Sequence, residues 1–250
     1  MIKFLIQKIN KEIRHDFAFT LLESVNYNNW YNPASNMRVM FFNTKAEQTD
    51  FVFNERYHNY VPIGSVEFVS AFLRQFYNKE LKPLNVPEEL FGFAGRDILN
   101  GNQMSLNETN VGTYFIKSND KIKGFTEVIT IDTKHLINIP IGNYQISDYI
   151  IIDSEWRAFI YQNKLVGLQN YLGDFTMFPN INKINGMIKA FKSAPVAYTL
   201  DVGISNANTF VVECHPMMSV ALYGFADHRI LPHMFYSGFY QYVRNIKNKK

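Results

Sequence analysis

From Thr113 to Glu213 the sequence is cut into short runs rich in β-branched and aromatic residues, a succession that restricts the chain to a fold built largely on sheet. The runs are Thr113 to Lys117, Glu127 to Ile131, Tyr149 to Ile152, Trp156 to Ile160, Leu165 to Tyr171, Ala197 to Val202 and Thr209 to Glu213. Gln162 and Asn163, between two of them, suit a tight turn and predict an antiparallel hairpin. Asn180 to Ser193 breaks the pattern: Ile184, Met187, Ile188 and Phe191 recur at helical spacing and predict one helix packed on the sheet.

The first part of the chain reads differently. Short apolar runs at Met1 to Ile6 and Arg38 to Phe42 accompany a helix predicted over Ser65 to Asn78, where Val66, Val69, Phe72, Leu73 and Phe76 follow a 3.6 period and Ser65 is placed to cap. Pro83 and Pro87 mark a connection. The expectation is an α/β lobe over residues 1–85, followed by an α+β body over residues 86–250.

Hydrophobic residues make up 47% of the 250 and charged ones 19%, enough apolar material for a sizeable core, which excludes global disorder. Twenty-five basic against 22 acidic residues leave a net charge of +3, too small to argue for nucleic acid or an anionic membrane. One cysteine, Cys214, excludes an internal disulfide and any multi-cysteine zinc site and fits a reducing compartment, so the cytoplasm is expected. No stretch approaches the roughly 18 apolar residues of a spanning helix, and the N-terminus lacks the pattern of a signal peptide. Oligomeric state has no signature here.

Asp201 and Glu213 each end an apolar run, so on neighbouring strands their carboxylates converge and suit Mg²⁺; otherwise both are surface ends of strands. Glu155 and Arg157 lie two apart in a strand and share a face, where Arg157 reaches a phosphate or carboxylate while Glu155 pairs with another cation or orients a ligand; otherwise they are a surface ion pair. Lys117, Lys121 and Lys123 cluster in a strand-loop-strand, where Lys117 and Lys123 face nucleotide phosphates or are solvated. Cys214 adjoins His215, but neighbours in a strand point to opposite faces, so it is expected as a core residue. The stretch Gly92 to Asp97 lacks the Gly-Lys-Ser/Thr of a phosphate loop. Arg96 and Arg38 are candidates for a substrate carboxylate, with surface positions as the favoured alternative, and His135, His228 and His233 are expected as structural or exposed residues.

Taken in order, these segments resemble the ATP-grasp superfamily, specifically its clade named for one arginine and two lysines, over roughly residues 95 to 225. Lys117 and Lys123 look like the nucleotide-binding lysines. The stretch from Ser154 to Arg157, with Tyr161 to Tyr171, looks like the glutamate-arginine strand and its hairpin. Asp201 and Glu213 look like the metal ligands, and Ala221-Leu222-Tyr223-Gly224 like the segment that follows them. One departure stands out: His215 occupies the position, two after the metal-binding Glu, where the superfamily usually has Asn, and acts as a third ligand or as a local structural donor.

The resemblance implies an ATP-grasp-like fold and an ADP-forming carboxylate-amine ligase that uses Mg·ATP to make an acylphosphate from an amino acid or peptide. Arg157 would stabilise the transition state. Lys117, Lys123 and Glu155 would bind nucleotide, and Asp201, Glu213 and His215 metal. The alternative is a nucleotide-binding module without turnover that acts through a protein partner.

Overall fold

The computed structural model describes residues 1–105, 110–132 and 139–244. His135 and the terminal Lys247, Lys249 and Lys250 lie outside the described residues.

β1 (Lys3–Ile9) carries Phe4, Leu5 and Ile6 on consecutive positions, all fully buried. A strand buried on both faces needs cover on both, as parallel sheets receive from crossover helices. β1 pairs in parallel with β2 (Arg38–Thr44) and β3 (Val61–Ile63), in the order β2-β1-β3. α1 (Asp16–Tyr31) and α2 (Val66–Tyr77) join these strands in one core. The Ser65 hydroxyl accepts a bond from the Phe68 amide at the start of α2, and Asn78, with φ +50°, ends it, as the sequence pattern predicts.

Two four-stranded antiparallel sheets follow. The middle sheet contains β4 (Ile98–Asn102), β5 (Gly112–Ser118), β6 (Thr126–Ile131) and β7 (Asn143–Asp148) in the order β4-β7-β5-β6. The last sheet contains β8 (Ser154–Tyr161), β9 (Lys164–Gly173), β10 (Ala197–Ser205) and β11 (Asn208–Pro216) in the order β11-β10-β8-β9. β8 and β9 form the predicted hairpin. Gln162 and Asn163 both take positive φ, the geometry that matches the twist of paired strands. The strand expected over Tyr149 to Ile152 is not one: the pairing ends at Asp148, and 149–152 runs between the two sheets, lining a cleft with its apolar side chains.

The last sheet is buried on both faces by different partners. Trp156, Ala158, Ile160, Tyr198, Leu200, Val202, Val211 and Cys214 pack with α3 (Ile181–Ala190) and with Val86 and Leu90. On the opposite face Phe159 and Ala197 join α4 (Leu231–Arg244) and the first lobe in a single core. The middle sheet has its own small core around Ile116, Tyr144 and Ile146.

Candidate active site

Strand alternation selects the site. With Leu200 and Cys214 packed in the core with α3, the intervening positions of β10 and β11 turn to the other face, as does Arg157 between Trp156 and Ala158. Asp201 lies directly opposite Arg157 on β8 and directly opposite Glu213 on β11. His215 lies two residues beyond Glu213, opposite Thr199. The convergence expected of Asp201 and Glu213 is therefore a matter of register.

Arg157 grips Asp201 with two bonds, Nε to Oδ1 at 2.8 Å and Nη2 to Oδ2 at 2.7 Å, and donates Nη1 to the Ala221 carbonyl at 3.0 Å. Burial opposes the charge of both groups. The pairing overcomes it, holding the guanidinium above its ordinary value and the Asp201 carboxyl below its own. The rings of Tyr171 and Tyr223 stack at 4.9 Å, and the guanidinium lies 5.7 Å and 4.9 Å from their centroids. The Tyr171 hydroxyl donates to Glu155, so Glu155 is paired with a tyrosine and not with a cation.

Lys117 reaches across from β5 of the middle sheet and bonds Glu213. Burial between the sheets pushes its amine down to about 8, with the Arg157 charge adding to the effect and Asp201 opposing it. Two clefts of about 440 and 430 Å³ meet here, sharing Phe115, Lys117 and Glu213. The first is lined by Gln145, Ser147, residues 149–152 and Glu155. Arg157, His215, Tyr223 and Lys123, an exposed residue with φ +55°, line the second.

One donor atom from each of Asp201, Glu213 and His215 falls within 4.8 Å of the others. His215 Nε2 lies 3.2 Å from Glu213 Oε1 and 3.5 Å from Asp201 Oδ2. The nitrogen is shielded from solvent and, among the described residues, makes no hydrogen bond of good geometry, with the Asp201 carboxylate as its nearest candidate acceptor besides Glu213. Burial lowers the imidazole pKa, the Asp201 carboxylate opposes the shift, and the charges of Arg157 and Lys117 add to it. Two carboxylates and an unpartnered imidazole nitrogen converging on one point fit a divalent cation.

Arg96 departs from its expected surface place. It is partly buried beside the first cleft and donates to the carbonyls of Val211 at 2.9 Å and Val212 at 3.3 Å and to Ser147 Oγ at 3.2 Å. Arg38 is exposed on β2, and Lys121 is exposed. Cys214 is fully buried, and burial pushes its thiol up. His228 accepts or donates at Ser24 Oγ, 2.9 Å away, in a structural role. No helix among the described residues is long and apolar enough to cross a membrane.

The ATP-grasp domain family that is the second of the clade named for one arginine and two lysines matches residues 93–232, more than half of the chain and all five clustered residues. The chain belongs to that family. No curated protein matches the sequence. The fold of this ATP-grasp protein is similar to D-alanine--D-alanine ligase from Bacillus anthracis at 10% identity and TM-score 0.52, over 98% of this chain and 99% of the ligase. It is also similar to N5-carboxyaminoimidazole synthetase from Staphylococcus aureus, at 10% identity and TM-score 0.54, over 86% of this chain and 70% of the synthetase. A third similar fold is the ATP-grasp ligase PsnB complexed with a minimal precursor, at 11% identity and TM-score 0.51, over 96% and 99% of the two chains. At such low identity the three likenesses are of fold, the mixed sheet and helix architecture described above.

Proposed function

We propose that this ATP-grasp protein is an ATP-dependent, ADP-forming carboxylate-amine ligase, working through an acylphosphate on an amino acid or peptide. The observation that carries the reading is the meeting of Lys117, Arg157, Asp201 and Glu213 where two clefts join. Phosphoryl transfer needs positioning and charge stabilisation more than covalent help from the protein, and this set supplies both.

Nucleotide in the first cleft would place its base against the apolar segment 149–152 and its ribose near Glu155. Lys117 at the junction and Lys123 on the rim of the second cleft would hold the phosphates. Arg157 has five N–H donors and spends three on Asp201 and Ala221, so two remain for the transferring phosphoryl group. Asp201, Glu213 and His215 would hold the divalent cation, which neutralises phosphate charge when bound. A substrate carboxylate oxygen attacks the γ-phosphorus, the bond to the β-phosphate oxygen breaks and ADP leaves. The amine nitrogen then attacks the acyl carbon, gives up its proton, and phosphate departs.

The test uses purified protein, Mg·ATP, the free amino acids in pools, and hydroxylamine as a universal nucleophile. The expected result is ADP together with an amino acid hydroxamate, both lost in Glu213→Gln. ADP without hydroxamate in every pool would remove free amino acids as the acid and move the search to peptides. A second reading, a module that binds nucleotide without turnover and acts through a protein partner, is favoured by His215 in the place usually held by Asn. Nucleotide binding with neither ADP nor hydroxamate, in the amino acid pools and in peptide pools tested the same way, selects it.

A further inference from the structure

We infer that the metal position of this protein is tuned to a divalent first-row transition ion in preference to Mg²⁺, with His215 Nε2 as the ligand that sets the preference. The inference rests on the placing of a cation between Asp201 and Glu213 proposed above, and concerns which cation that site selects.

Register accounts for the geometry. Thr199 and Asp201 on β10 and Glu213 and His215 on β11 occupy four adjoining positions on one face of the sheet. Within this square the carboxylates already have partners, Arg157 for Asp201 and Lys117 for Glu213. Among the described residues the Thr199 hydroxyl is buried without one, and His215 Nε2, shielded from solvent, faces Glu213 Oε1 at 3.2 Å and Asp201 Oδ2 at 3.5 Å without a hydrogen bond of good geometry to either. A buried nitrogen left unpaired is disfavoured unless something absent from the polypeptide satisfies it. An imidazole nitrogen beside two carboxylate oxygens would be satisfied by a metal ion.

The donor set then decides the kind of ion. Mg²⁺ prefers hard oxygen ligands and holds its waters tightly, whereas imidazole suits borderline transition ions, which also accept carboxylates. Two oxygens alone would leave Mg²⁺ at no disadvantage. A nitrogen as third ligand shifts the balance toward Mn²⁺ and the ions that follow it.

The experiment titrates Mn²⁺ into the purified full chain in the presence of a non-hydrolysable ATP analogue. Bound ion is read by electron paramagnetic resonance, and Mg²⁺ is then added as competitor. Nucleotide binding is followed separately through the fluorescence of a labelled analogue. Wild type is expected to hold Mn²⁺ at least about tenfold more tightly than Mg²⁺, and His215→Asn to lose most of that preference. Spin-echo modulation from a directly coordinated nitrogen is expected in wild type, a readout that does not depend on the variant folding. Equal affinities for the two ions, or Mn²⁺ bound without nitrogen modulation, would overturn the inference and leave the ligase reading standing. A folded wild type that binds neither Mn²⁺ nor nucleotide would overturn both.

Discussion

Arg157 and Asp201 face each other across β8 and β10 and are joined by two parallel hydrogen bonds in a place where their side chains are only 7% and 1% exposed. Breaking such a pair from one side leaves a charge buried without its counterion. Asp201→Asn is therefore expected to destabilise the protein by about 3–5 kcal/mol. The double change Arg157→Met with Asp201→Leu, which removes both charges, is expected to recover most of that loss. Urea unfolding of the three proteins checks it, and a loss below about 1 kcal/mol in the single variant would show that the pair is solvated.

Lys117 gives opposite trends with pH for folding and for binding. Its amine titrates at about 8 in the folded protein, against an ordinary value of 10.5. Between those values the unfolded chain binds more protons, so this residue makes the folded state more stable as pH rises through that window. On the proposed role of Lys117, ATP requires the charged amine, so its dissociation constant should be level below pH 8 and rise about tenfold per pH unit above it. Isothermal titration from pH 7 to 9.5 measures the slope. Lys117→Ala should bind weakly at every pH, and a wild-type slope shared by that variant would transfer the effect to another group.

The Tyr171 and Tyr223 rings hold the guanidinium of Arg157 against Asp201. A contact between a cation and an aromatic face in a partly desolvated site is worth about 1–2 kcal/mol. Tyr223→Ala should accordingly lower kcat roughly 5- to 30-fold while leaving the KM for ATP close to wild type. Tyr223→Phe keeps the ring and should restore most of the rate. A rise in KM with kcat intact would instead make Tyr223 a nucleotide contact.

Gly167 is held by packing. A Cβ there would lie 2.4 Å from two ring carbons of Phe225, which is buried and stacked on Phe159 at 4.2 Å. Overpacking a filled core costs about 1–3 kcal/mol, so Gly167→Ala should melt roughly 2–12 °C lower in a thermal scan. An unchanged midpoint would mean that Phe225 has room to turn away.

Asp201 and Glu213 are legible in the sequence because each sits in an apolar run with strand character, and a short connection places those runs side by side. The helices α2 and α3 are legible for a similar reason, their apolar residues recurring on one face. α1 is hidden: its buried Phe17, Ala18, Leu21, Ser24 and Val25 are interleaved with exposed Phe19, Trp30 and Tyr31, which blur the period. Tyr149 to Ile152 has the composition of a strand, yet Ile151 is 73% exposed, because pairing stops at the single bond from the Tyr149 amide to the Thr113 carbonyl on β5 and the rest of the segment lines the cleft. Arg96 has no local signature at all. Its acceptors on β11 lie 115 and 116 residues away, and only the closed fold brings them together.

The distribution of apolar packing makes the two jaws around the joined clefts unequal. The last sheet, α4 and the first lobe share one continuous core and form a single heavy body. Among the described residues the middle sheet has a small core of its own and is fastened mostly by polar links: Gln145 to Val86, Arg96 to Ser147 and Lys117 to Glu213, with Ile98 and Ile122 packed at its margins. Polar links can be exchanged for ligand oxygens at little cost, whereas a shared core cannot be parted without exposing it. On the proposed function, entry and departure of nucleotide would fall to the light jaw, while the acids and Arg157 would stay anchored in the heavy one.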